Sequence, residues 1–108
     1  MVGYRERGLM GSEQKVLQRL ISYVSNDPRG VRRTVLKSFV HNGELTTGQV
    51  IAELRMQDIE VSPQSIYSMV GMLASRMGVL KVSTDRKSRS YTVKEEYLEL
   101  LRSVLREF

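Results

Sequence analysis

Five cations crowd into the stretch from Arg76 to Arg89. They are Arg76, Lys81, Arg86, Lys87 and Arg89, and Asp85 is the one acid among them. Guanidinium and ammonium groups at this density attract a polyanion, and each one that meets a phosphate displaces condensed counterions. The formal net charge is +5 over 108 residues, and residues 61–93 carry five cations against one acid, so most of the excess is local. A pI near 9.8 points the same way. The competing explanation is a charged turn kept in water, since charged turns and edge strands also guard against aggregation. A tip that needed only solubility could use either sign, and the bias toward cations favours contact with phosphate.

Other chemistries find little support. His41 is the single histidine, and there is no cysteine. Neither a zinc site of the usual kind nor a Ser-His-Asp triad can be assembled from that set. At the end of a helical pattern, His41 suits a C-terminal capping role. The eight glycines form neither a phosphate loop nor a dinucleotide motif. Glu95, Glu96 and Glu99 fall where a helix starts and suit its positive dipole end without a catalytic role. The expectation is a non-enzyme with no catalytic residue, no metal and no cofactor, and no small-molecule ligand is inferable. Absent cysteines fit a reducing interior. The opening MVGYRERGLMGS has no apolar stretch of a secretory kind, and no run approaches the roughly 18 apolar residues of a membrane span. A cytoplasmic protein with no membrane partner is expected. Hydrophobic content of 41% and charged content of 27% fit one soluble domain with a modest core.

The elements that must carry these residues can be traced by periodicity and caps. Residues 1–11 are expected to be a flexible N-terminus, and 12–108 a single domain. Ser12 opens a helix over 12–26 with Val16, Leu17, Leu20, Ile21 and Val24 on one stripe, stopped at Asn26-Asp27-Pro28. A second helix turns Val31, Val35, Leu36, Phe39 and Val40 inward and ends at His41-Asn42-Gly43. Glu44-Leu45 is a short extended link. Thr46 and Gln49 form a capping box before Val50, Ile51 and Leu54, and Asp58 to Glu60 make a turn. Ser62 then caps, Pro63 takes the first helical position, and Val61 with Ile66 stand at the places of a hydrophobic staple. That helix is expected over 62–77, with Ile66, Val70, Leu73 and Met77 inward. Leu80 and Val82 alternate with Lys81 and Ser83, and 90–93 answer them across the charged tip, which predicts a β-hairpin. From 94 to 108, Tyr97, Leu98, Leu101, Val104, Leu105 and Phe108 restore a helical stripe.

Helix, link, helix, turn, helix and hairpin, in that order over 31–93, make a winged helix-turn-helix. The predicted class is mainly α with a small β-hairpin, carrying extra helices at 12–26 and 94–108. The segments GVRRTVLKSF at 30–39, SIYSMVGMLASRMGVLKV at 65–82 and SYTVKEEY at 90–97 resemble a small family of archaeal winged-helix proteins of unknown function. The likeness covers about residues 28–105, and SMVGMLASRMGVL is its most specific part. It implies a winged-helix fold and an archaeal source, and it carries over no ligand and no functional residue.

On this frame the outward face of 62–77 carries Gln64, Ser68, Gly71 and Ser75, with Ser65 and Met72 at one edge. In a helix-turn-helix that face enters the major groove, chiefly through its N-terminal half. Gln64 could bond adenine, and Ser65 and Ser68 could reach bases or phosphates. The same small face could instead pack on a protein or lie bare. Arg76, Lys81, Arg86, Lys87 and Arg89 complete the candidate nucleic-acid set, with the 81–89 wing on the backbone. Arg32, Arg33 and Lys37 either add backbone contacts or form the wet side of an amphipathic helix, the latter being favoured. Tyr67 and Tyr91 either meet a sugar or phosphate or are half-buried structural residues. The expected function is a DNA-binding transcriptional regulator or chromatin-associated factor acting on double-stranded DNA; the alternative is a winged-helix module that binds protein without touching nucleic acid. The apolar stripes of the first and last helices, widened by Leu100, suggest a homodimer packed through them, unless both fold onto one core.

Overall fold

Two residues, Leu45 and Thr46, decide how the sheet is assembled. In the computed structural model, which describes residues 11–84 and 88–107, they form β1 and pair antiparallel with β3 (Ser90–Val93). β2 (Leu80–Ser83) pairs with the other side of β3, so the strand order is β1-β3-β2. The helices are α1 (Gly11–Ser25), α2 (Val31–Asn42), α3 (Thr47–Met56), α4 (Pro63–Ala74) and α5 (Leu98–Glu107), the last preceded by a 3-10 turn over Glu95–Tyr97. The fold is a winged helix-turn-helix with added terminal helices: α3 and α4 are the helix-turn-helix pair, and β2 with β3 form the wing.

Local chemistry explains most of these boundaries. The Thr46 hydroxyl accepts from the Gln49 amide at 3.1 Å while the Gln49 side chain accepts from the Thr46 amide at 2.8 Å, the reciprocal box expected at the start of α3. Gly43, at φ 79°, turns the chain out of α2, and its N–H bonds the Phe39 carbonyl. Ser12 lies within α1, and its side chain is outside the described residues. Asp27 does more than stop α1. Its carboxylate accepts from the amides of both Arg32 and Arg33 at 3.0 Å and pairs with the Arg33 guanidinium at 3.5 Å, which satisfies the open end of α2.

Helix α4 is shorter than the expected 62–77. It ends at Ala74, because the Ser75 hydroxyl bonds back to the Gly71 carbonyl at 2.7 Å and the next bonds widen, Met77 N–H to Met72 and Val79 N–H to Leu73. Gly78, at φ 71°, then reverses the chain into β2. The last helix is likewise shorter than 94–108, with its first turn wound as 3-10.

The core runs through every element. Leu20, Val35, Leu36, Phe39, Val50, Leu54, Ile66, Val70, Leu73, Val79, Leu80 and Leu101 are all fully buried. α1 and α2 both pack on α5, α2 packs on α3, and α3 on α4. The apolar stripes of α1 and α5 are therefore covered within one chain: Val16, Leu17, Leu20, Val24, Leu101 and Val104 are buried without a second copy. Of the two arrangements open at the sequence level, this is the one in which both helices fold onto the same core. Ile21, Leu98, Leu100 and Leu105 remain half-buried along its edge.

Tyr23 of α1 is buried against α2, where the Arg32 guanidinium lies 4.7 Å over its ring and donates to its carbonyl at 3.0 Å. Burial pushes its phenol up to about 12, with Arg32 pulling it down and Asp27 pushing it further up. A phenol raised in the folded state contributes stability that is intact below its unfolded value near 10 and is lost as pH rises toward 12. Urea unfolding of the wild type and of Tyr23→Phe should show the wild type losing about 1 kcal/mol relative to the variant between roughly pH 9 and pH 11. A difference that stays constant with pH contradicts this placement of Tyr23.

Candidate nucleic-acid interface

The start of α4 is fixed by its own first turn. Ser62, in extended geometry, accepts from the Ser65 amide at 3.2 Å, its hydroxyl lies 2.9 Å from that of Ser65, and Pro63 supplies the preset first helical residue. Ile66, Val70 and Leu73 lock the helix to the core, which aims Gln64, Ser65 and Ser68 outward, all exposed. Tyr67 joins them at 60% exposure, so it is neither buried nor half-buried, whereas Tyr91 is a core residue. Gly71 sits on the same outward side, and an added Cβ would meet nothing within 4 Å. A mid-helix glycine costs about 1 kcal/mol relative to alanine, and no packing within the described residues requires this one.

The wing is built by register. Leu80 pairs with Val93, Lys81 with Thr92, Val82 with Tyr91 and Ser83 with Ser90. Leu80, Tyr91 and Val93 are buried while Lys81 is exposed on the opposite face. Val82 lies past the core and is half exposed. The Ser90 hydroxyl donates to the Glu44 carboxylate, which holds the base of the wing to the residue before β1. Arg89 is exposed beside the tip, and neither it nor Lys81 makes an ion pair among the described residues. Arg86 and Lys87 lie outside the described residues.

Arg76 follows the end of α4 and is exposed, and its backbone carbonyl accepts from the Arg19 guanidinium of α1 at 3.3 Å. Arg32 and Arg33 are also engaged elsewhere, on Tyr23 and Asp27, so they are structural cations rather than the wet side of α2; Lys37 is exposed. His41 is exposed in the last turn of α2.

Two cations not singled out by sequence reasoning flank the entry to α4. Arg29 and Arg55 line an open cleft of about 900 Å³ with Asp58, Ile59, Glu60, Val61 and Ser62. The Arg29 guanidinium donates to the Glu60 carbonyl at 2.8 Å, and Asp58 adopts φ 58° to make the turn. They were missed because they come from the α1–α2 connection and the end of α3, which only the tertiary fold brings to Ser62. Arg55 also suits the negative end of its own helix, which masks any other role.

Residues 20–101 match the family described as Protein of unknown function (DUF2551). The chain belongs to that family. Within reach of this DUF2551 chain is an uncharacterised protein of the archaeon Archaeoglobus fulgidus, 33% identical over 94 residues, which span 87% of this chain and 96% of the relative. The fold is similar to that of BpsR from Bordetella bronchiseptica, whose DNA binding is regulated by 6-hydroxynicotinic acid. That match has a TM-score of 0.59 at 17% identity and covers 99% of this chain and 75% of BpsR. It is also similar to AntR, an antimony-specific transcriptional repressor, with a TM-score of 0.56 at 18% identity over 92% of this chain and 85% of AntR. At these identities the likeness is one of fold.

Proposed function

We propose that this DUF2551 protein is a non-enzymatic DNA-binding regulator that lays α4 in the major groove and its wing along the backbone of double-stranded DNA. The observation that carries the reading is the outward face of α4. A capped, core-locked helix presents Gln64, Ser65, Ser68 and Tyr67 to solvent, with Gly71 leaving room for a close neighbour. Gln64 suits an adenine edge, and the serines suit bases or phosphates. The fold shared with transcriptional regulators supports the same reading.

Electrostatics supplies the affinity. Lys81 and Arg89 are exposed on the wing, Arg86 and Lys87 stand between them in sequence, and Arg29 and Arg55 flank the start of α4. Apart from Gln64, α4 itself carries no bidentate base reader, so binding leans on phosphates and is strongly salt-dependent. The stripes of α1 and α5 are covered within one chain, so a second copy has only the half-buried Ile21, Leu98, Leu100 and Leu105 to pack on, and such a pair sets two copies of α4 on one duplex.

In duplex titrations across a salt series, the wild type should lose affinity steeply. Replacing Arg86, Lys87 and Arg89 with alanine should reduce the log–log slope by about 2 to 3. An unchanged slope removes the wing from the interface. No duplex affinity even at about 50 mM salt leaves the winged-helix surface, with exposed Tyr67 and Val82, as a protein-binding face instead. Light scattering at micromolar concentration should return twice the 12.4 kDa chain mass; a monomer mass throughout sinks the dimer.

A further inference from the structure

Three large apolar side chains stand well out of the core among the described residues: Met56 at 81% exposure, Tyr67 at 60% and Val82 at 50%. Single exposed apolar residues are ordinary on a protein surface. Position sets Tyr67 apart. Met56 ends α3 and Val82 belongs to the wing, whereas Tyr67 lies in the N-terminal half of α4, three residues after Gln64. Residues three apart on a helix are neighbours on its surface. Aromatic side chains on a helix lean toward the turn before them, which here is the turn that carries Gln64. Gln64 is itself exposed, and neither side chain makes a hydrogen bond, ion pair or ring contact with another described residue. Ile66 and Val70, both fully buried, fix the rotation of the helix that presents them. The fold therefore sets an amide and a ring side by side at the open start of α4 without tying up either in a bond of its own.

An amide beside an apolar ring matches one kind of major-groove edge. A glutamine amide bonds adenine through N6 and N7, and an apolar side chain meets the C5-methyl group that only thymine presents there. Positions three apart rise about 4.5 Å along a helix axis, close to the roughly 3.4 Å between successive bases of a strand. The two side chains thus span about one base step. A G·C pair has no methyl for the ring. A contact with phosphate would use the phenol oxygen and leave the ring idle.

We propose that Tyr67 is a specificity-determining residue: its ring packs on a thymine methyl within one base step of the adenine that Gln64 bonds, so that α4 selects A·T pairs. The inference rests on the DNA-binding reading above and adds to it the base composition of the site. The cations of the wing and of the α4 entry bind any duplex through phosphate, while Gln64 and Tyr67 decide where on it the chain stays. Gly71, one turn beyond Tyr67, has no side chain to hold that part of the helix away from the bases.

The test uses a duplex pool with a randomised central segment, selected on the full chain at about 0.15 M salt, where non-specific phosphate binding is weakened. The recovered sites should share an A·T pair. Remaking them with deoxyuridine in place of thymidine removes only the methyl and should weaken wild-type binding about threefold to fivefold, the worth of roughly one buried methyl. Tyr67→Ala should bind the two duplexes equally, and Tyr67→Phe should keep the difference because it keeps the ring. Equal wild-type affinity for the two duplexes overturns the proposal and leaves the DNA-binding reading in place. A methyl effect that persists in Tyr67→Ala overturns it as well. So does a Tyr67→Phe variant that behaves like Tyr67→Ala, since the hydroxyl and not the ring would then make the contact. If no duplex is recovered at all, the DNA-binding reading falls and this inference falls with it.

Discussion

Thr46 belongs to two structures at once, and the arrangement of the candidate interface depends on it. Its backbone stands opposite Ser90 in the sheet, and its side chain opens α3 by bonding the Gln49 amide. The chain therefore closes a circuit. From β1 it passes through α3 and α4, turns at Gly78 into β2, and returns along β3 to pair with β1. Buried Val50, Leu54, Ile66, Val70, Leu73 and Leu80 fill the inside of that circuit. A shift of the wing relative to α4 would have to break the β1–β3 pairing, the cap of α3 or this packing. Two residues of strand thus hold α4 and the wing in one frame.

Much of that frame is legible in the sequence, because its signals are local. The Thr46–Gln49 box, the Ser62-Pro63 start and the Gly43 stop each depend on residues within a few positions of one another, and each appears in the structure. The inward residues of α4 follow from a 3.6-residue period and are buried. β1 was not legible as a strand, since two residues carry no period and its partner lies 44 positions or more away. The end of α4 was also misplaced. Met77 continues the apolar period and is buried, yet it gets there from a widened turn instead of a helix.

The candidate interface divides along the same line. Gln64, Ser65 and Ser68 share a face because one helix carries them, so spacing alone was enough. The turn after Ala74 brings the backbone carbonyl of Arg76 to the Arg19 guanidinium of α1, a contact that no spacing signals, while Arg76 itself is exposed. Arg29 and Arg55 likewise reach the start of α4 from distant segments. Asp27 shows a similar limit. Its role as a stop for α1 is readable, while its two bonds to the α2 amides and its pairing with Arg33 emerge only in three dimensions.

These placements separate two kinds of basic surface on one small domain. The outward face of α4 and the wing are open and polar. The cleft behind the end of α4 is lined by Arg19, Arg32 and Arg76 together with Met72, Met77 and Tyr23. Binding of duplex DNA by α4 and the wing is measurable by backbone amide NMR of the labelled chain during titration with a short duplex. The largest shifts should fall on Gln64, Ser65, Tyr67, Ser68 and Gly71, with a second group from Lys81 to Arg89. Shifts confined to α1 and α5, or no shifts at all, would contradict it.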